Sequence, residues 1–268
     1  MIGTRRGVGA VMTDLVDRTI TALRDEHDVL ETLLPNLTDE LLEQPSGAAG
    51  WTVAHVLSHL GSGAEINRKP IARAAGESVR EEDNQTVWAR WDAASPVEQV
   101  AGFVEHDRAF LDMAEALSPE QRTSLTVDLG YLPEPVPVLV PLALRLNEIA
   151  NHAWDVRVAL DPGAEVAAES AALLVELFAG PLGFVLGFSG KPDQVDDPVR
   201  LAVPGGGVVV DGAISVVTSL TEPTATLHGP DGAVVRLLSG RLRTPYDEGV
   251  EVEGNVTLDE LRRVFPGY

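Results

Sequence analysis

The chain has 268 residues, of which 44% are hydrophobic and 23% charged, and it carries a formal net charge of −21. That length supports one large or two modest domains with real cores. The acidity excludes nucleic acid and anionic membrane surfaces as natural partners, since both repel such a chain. No cysteine is present, so the chain has no disulfide, no thiolate metal ligand and no nucleophilic thiol of its own. Any thiol chemistry must come from a cosubstrate. Only Lys69 and Lys191 are lysines among 20 basic residues, a bias expected of a GC-rich genome.

Met1 to Val11 is Gly- and Arg-bearing without the apolar stretch of a signal peptide. Residues 1–12 read as a disordered extension before a natural start near Met12. No stretch approaches the roughly eighteen apolar residues of a membrane span, which makes cytoplasmic residence the default expectation.

From Thr13 to Leu34, apolar positions Val16, Ile20, Leu23, Leu30 and Leu34 alternate steps of three and four, the stripe of a packed helix. His27 takes the missing position of that stripe and reads as a satisfied core histidine. A Ser/Gly/Ala loop from Pro45 to Gly50 leads to Thr52, a natural N-cap. The second helix follows, with Val53, Val56, Leu57 and Leu60 on its apolar face. His55 falls in its first turn and His59 deeper; either can point inward, and His59 is preferred because Leu57 and Leu60 flank it. Residues 77–94 are charged and carry Trp88, Arg90 and Trp91, which suits a short helix over one end of a bundle. Ser95-Pro96 is an N-cap and N1 pair that opens a third helix, ending near Leu117. After a loop from Thr123 to Pro137, an apolar run starts a fourth long helix, stopped by Asp161-Pro162-Gly163.

Four amphipathic helices over residues 13–163 predict a four-helix bundle. Beyond Pro162 the pattern changes. Val166–Leu177 reads as a helix, and 199–203, 208–210, 213–217 and 225–227 as strands between Gly and Pro turns. A helix over 231–238, a strand at 250–252 and a helix over 258–265 complete it. Residues 164–268 therefore form a small α+β domain with a mostly antiparallel sheet, and the whole chain is of α+β class.

The chemistry concentrates in Asn147-Glu148-Ile149-Ala150-Asn151-His152-Ala153-Trp154-Asp155. Glu148 and His152 stand one helical turn apart on one face, and Asp155 continues it. A carboxylate and an imidazole on a helix destined for the core are costly unless something pairs them. A divalent metal with His59 as third ligand explains them. Two imidazoles and one carboxylate leave a coordination position open, the pattern of catalytic Zn²⁺ sites, though Fe²⁺ uses the same donors. Outside a buried context, an ordinary surface Glu/His pair would explain the spacing equally well. Asp155 is a candidate to orient a ligand from behind, or else the partner of Arg157 or Arg145. Arg108 and His106 read as part of a solvated face.

Three segments resemble the mycothiol-dependent maleylpyruvate isomerase family, within the wider DinB-like metal-binding bundle superfamily. They are Gly50-Trp-Thr-Val-Ala-His-Val-Leu-Ser-His-Leu60, Leu144-Arg-Leu-Asn-Glu-Ile-Ala-Asn-His-Ala-Trp-Asp155, and Ser239-Gly-Arg-Leu242 followed by Val252-Glu253-Gly254. The likeness runs in order through nearly all of residues 13–265. It implies a zinc site of His59, Glu148 and His152, with mycothiol as thiol cosubstrate taking the open position, and so an actinobacterial source. The thiolate would attack an electrophilic small molecule, as a maleylpyruvate-type cis-trans isomerase or as a thiol S-transferase. Arg90 and Arg241 are the candidates to anchor a dicarboxylate substrate, with ion-pair roles open for each. The competing expectations are a metal-dependent hydrolase, with Glu65 or Asp155 as base, and a non-catalytic sensor or binding module whose metal only stabilises the bundle.

Overall fold

The structure, a computed structural model, describes residues 8–267. Helix α1 spans Val8–Leu33, so the extension expected over residues 1–12 is helical from Val8 onward, and its first seven residues lie outside the described ones. Next come α2 (Asp39–Glu43), α3 (Val53–Ala74), α4 (Asn84–Asp92), α5 (Pro96–Ala116) and α6 (Pro119–Ser124). Strands β1 (Thr126–Val127) and β2 (Val136–Pro137) pair antiparallel before α7 (Leu139–Leu160). The chain divides into two compact units, Met1–His152 and Ala153–Tyr268, so the boundary falls inside α7 rather than after its Asp-Pro-Gly stop.

The long helices of the first unit begin where side chains satisfy their free N–H groups. Thr52 caps α3, and Ser95 caps α5 in a reciprocal box with Glu98, with Pro96 at the first turn. Their apolar faces close the core: Val16, Leu23 and Leu30 of α1, Val56, Leu57 and Leu60 of α3, Phe103 and Phe110 of α5, and Leu142 and Leu146 of α7 are all buried. Helices α3 and α5 approach closely because Gly61 and Gly102 leave room for the Trp91 ring. A Cβ on Gly61 would stand 2.1 Å from Trp91 Cη2, and one on Gly102 2.7 Å from the same atom.

A buried ion pair ties α7 to α5, with Arg145 Nη2 donating to Asp107 Oδ1 at 2.5 Å. Asp107 also meets His27 Nδ1 of α1 at 2.7 Å, so His27 is the buried core histidine that its stripe predicts. Burial alone would push the Asp107 carboxyl up, but the Arg145 charge and the His27 hydrogen bond outweigh it and hold it low.

In the second unit follow α8 (Ala168–Phe178), α9 (Leu186–Ser189), β3 (Val199–Val203), β4 (Gly206–Val210), β5 (Ile214–Val217), β6 (Ala225–His228), α10 (Gly232–Leu238), β7 (Glu251–Gly254) and α11 (Leu258–Val264). The sheet order is β5-β4-β3-β6-β7, antiparallel except for the β3–β6 pair. In β3, Val199, Leu201 and Val203 alternate inward, which fixes the register because a one-residue slip would turn them to solvent. Gly205, at φ +79°, makes the tight β3–β4 turn. Helix α8 packs on α10 and β5. The α+β class is as the sequence predicts. Among the described residues no single helix is long and apolar enough to cross a membrane.

Candidate metal centre

The loop before α3 is tied down by its own polar groups. Ser46 donates to the Trp51 carbonyl from both its backbone N and its Oγ, at 2.9 Å each, and Gly50 turns the chain at φ +77°. Thr52 then caps α3: its Oγ1 accepts from His55 N at 3.2 Å, and its own N–H faces His55 Nδ1 at 3.5 Å. His55 is thus occupied at the helix start. His59, one turn deeper, is the histidine that reaches α7.

His59 Nε2 stands 3.0 Å from Glu148 Oε2, and His152 Nε2 stands 3.6 Å from the same oxygen. One ligand atom from each residue falls in a cluster no wider than 4.8 Å. The two imidazole rings meet edge to face, with centroids 4.8 Å apart. His152 is buried, whereas the His59 and Glu148 side chains are 41% and 29% exposed, so the cluster opens on the His59 side. Burial would raise the Glu148 carboxyl, but hydrogen bonds with His152 and His59 prevail and hold it well below the usual range. An ionised carboxylate and two imidazoles at this span suit Zn²⁺, whose ligand atoms, at about 2.0–2.3 Å from the ion, stand roughly 3–4 Å from one another.

Trp51 walls one side of the cluster, 5.0 Å from the His59 ring and 5.7 Å from that of His152. His59 also lines a cavity of about 680 Å³ with Ser62, Asn67, Lys69, Arg73, Trp88 and Tyr131, among others. Such a volume is that of a small-molecule site. Tyr131 comes from the β1–β2 connection, which the sequence reading took as plain loop.

The other candidate residues have partners of their own. Arg90 clasps Glu65 at 2.7 and 3.3 Å and Glu82 at 3.1 Å, and it lines an adjoining cavity of about 310 Å³ that shares Lys69 and Glu82 with the first. Trp91 Nε1 donates to Glu65 at 2.9 Å, and His106 Nε2 stands 3.7 Å from it. Burial would raise the Glu65 carboxyl, but Arg90 and Trp91 hold it low. Arg241 binds the buried Asp155 through three hydrogen bonds of 2.8–3.0 Å within the second unit. Neither of the partners expected for Asp155 takes that place: Arg145 binds Asp107, and Arg157 Nε bonds the Ala153 carbonyl. Arg108 is exposed, as the solvated-face reading predicts, and pairs there with Glu31.

An α-helical bundle presenting His, Glu and His between two helices, followed by a small α+β unit, defines the class. The family model for the mycothiol maleylpyruvate isomerase N-terminal domain matches residues 23–157, just over half of the chain, and the chain belongs to that family. The DinB-like superfamily is consistent with this. Solved structures of the mycothiol-dependent maleylpyruvate isomerase, and of a histidine-to-alanine mutant of it, are similar in fold. Each gives a TM-score of 0.61 at 19% identity, over 94% of this chain and 97% of the other. No curated protein matches significantly.

Proposed function

We propose that the chain is a thiol-dependent metalloenzyme of the maleylpyruvate isomerase type. His59, Glu148 and His152 would hold a divalent ion, most simply Zn²⁺, and mycothiol would be the cosubstrate. The single observation that carries this reading is the convergence of three ligand atoms within 4.8 Å beside a cavity, in a chain without cysteine. Bound there, the metal would lower the pKa of an outside thiol and keep it ionised at neutral pH.

The protein's own residues then bind and orient. Glu148, ionised and paired with both imidazoles, holds their Nε2 atoms toward one point. Trp51 shields that point on one side. The cavity beside His59 takes the electrophile, and Lys69 is the cation best placed for a substrate carboxylate. Among the described residues its Nζ makes no hydrogen bond, and its ion-pair contact is with Glu82, at 3.8 Å. Lys69 thus replaces Arg90 as the proposed anchor, because Arg90 is already committed to two glutamates. In the isomerase reaction the thiol sulfur adds to one carbon of a cis double bond, the new single bond rotates, and the same sulfur leaves, so no atom is gained or lost. In an S-transferase the sulfur would stay attached, and the proton given up by the thiol would end on the neighbouring carbon.

The hydrolase reading is weaker. Glu65 is held ionised by Arg90 and Trp91, which makes it a poor base. The deciding experiment follows maleylpyruvate isomerisation with and without mycothiol, before and after chelation. Turnover that needs both thiol and metal supports the proposal. Thiol-independent hydrolysis, or tight metal binding with no turnover of any electrophile, overturns it.

A further inference from the structure

A second cluster on α1 lies apart from the His59 centre, and the proposed function does not use it. His27, Asp28 and Glu31 each offer one ligand atom, all within 4.8 Å of one another. Two carboxylates on an exposed helical face would mean nothing alone. The informative member is His27. Its ring is fully buried, and its Nε2 has no hydrogen-bond partner among the described residues while it points toward Glu31 Oε2 at 3.9 Å. Buried polar atoms are rarely left unsatisfied, and each exception asks for an explanation.

The other ring nitrogen fixes which atom is free to bind. His27 Nδ1 lies 2.7 Å from Asp107 Oδ2, and Asp107 Oδ1 accepts from Arg145 Nη2. An ionised carboxylate can only accept, so the Nδ1 side donates to Asp107, and Nε2 is the ring nitrogen on the Glu31 side. A carboxylate behind a histidine in this way is the usual orienting partner of a metal-bound imidazole. Arg108 takes Oε1 of Glu31, which leaves Oε2 on the His27 side. Asp28 is exposed, so water can complete a coordination sphere.

We propose that His27, Asp28 and Glu31 form a second divalent-cation site on α1, with Asp107 and Arg145 as positioning residues. One imidazole and two carboxylates suit Zn²⁺ or Mn²⁺. The ion would join the exposed face of α1 to the buried His27–Asp107–Arg145 chain, so occupancy would stabilise the helices that meet there.

The test uses apo full-length protein titrated with Zn²⁺ alone by calorimetry, with folding checked by circular dichroism. His27 is too embedded to substitute cleanly, so Asp28→Asn and Glu31→Gln, both at partly exposed positions, carry it. The His59→Ala variant isolates the α1 site. It should still bind one Zn²⁺, and adding Asp28→Asn/Glu31→Gln should abolish that binding while the fold persists. In nuclear magnetic resonance spectra of His59→Ala, the His27 Nε2 resonance should shift on saturation. If His59→Ala binds no Zn²⁺, or binds it unchanged after both carboxylates are replaced, the proposal fails. Because this readout is taken without His59, it stands or falls separately from the proposed enzymatic centre.

Discussion

The ring of Trp51 lies nearly parallel to that of His152, 10° from coplanar with centroids 5.7 Å apart, while the carbonyl of Trp51 is held by Ser46. Sequence-distant loop and helix thus fix an imidazole plane. Stacked aromatic pairs contribute about 0.5–1.5 kcal/mol. Trp51→Ala should therefore weaken Zn²⁺ binding by roughly 2- to 12-fold, and Trp51→Phe by less. Calorimetry checks the order, and an unchanged affinity in Trp51→Ala would remove the indole from the site.

Glu148→Gln keeps the shape of the side chain and removes its charge. With only two neutral imidazoles left, Zn²⁺ affinity should drop by about two orders of magnitude or more. Thiol-dependent turnover should vanish with it. Equilibrium dialysis on the purified variant measures the first effect, and a maleylpyruvate assay the second.

Gly61 sets the spacing of α3 and α5. In Gly61→Ala the new methyl meets Trp91 at 2.1 Å and the Phe103 Cα at 3.0 Å, so the indole must leave its slot. Overpacking of this kind costs about 1–3 kcal/mol. Denaturant unfolding should show that loss, with the smaller clash of Gly102→Ala costing less.

Glu65 lends an acid-sensitive contribution to stability. Arg90 and Trp91 depress its folded pKa, so its contribution is complete above the unfolded value of about 4.3 and disappears as the pH falls through the lower folded value. The melting temperature of Glu65→Gln should accordingly lie below that of the parent at pH 7, and the gap should close toward pH 2. A gap that stays constant would mean that the effect is steric.

Arg241→Met would leave Asp155, fully buried, without its three hydrogen bonds from the guanidinium. Breaking such a pair costs about 3–5 kcal/mol. Replacing both residues by apolar ones should cost far less than the sum of the two single changes, a non-additivity that a double-mutant cycle reads directly.

Much of this was legible in the sequence, because the signals were local. The i, i+4 spacing of Glu148 and His152 places them on one face, and the depth of His59 between Leu57 and Leu60 favours it over His55. Strand limits at Val199–Val203 followed from alternation between turn residues. What was not legible depended on distance along the chain or on shortness. The Glu65 partner of Arg90 and the Asp155 partner of Arg241 are 25 and 86 residues away, and no pattern announces them. Strands β1 and β2 have two residues each, too few to show a period, so the hairpin that brings Tyr131 to the cavity was read as loop. The apolar stripe of α1 predicts a buried His27, but not that its Nε2 stands without a hydrogen bond among the described residues, on the side of Glu31.

The absence of cysteine has a consequence under oxidative stress. These 268 residues offer no sulfhydryl with which an oxidised small thiol could form a mixed disulfide. Peroxide or a disulfide stressor would therefore deplete the cosubstrate pool without S-thiolating the protein. Under the proposed function, activity would then recover from thiol oxidation at the rate at which the small thiol is regenerated, with no protein disulfide to reduce.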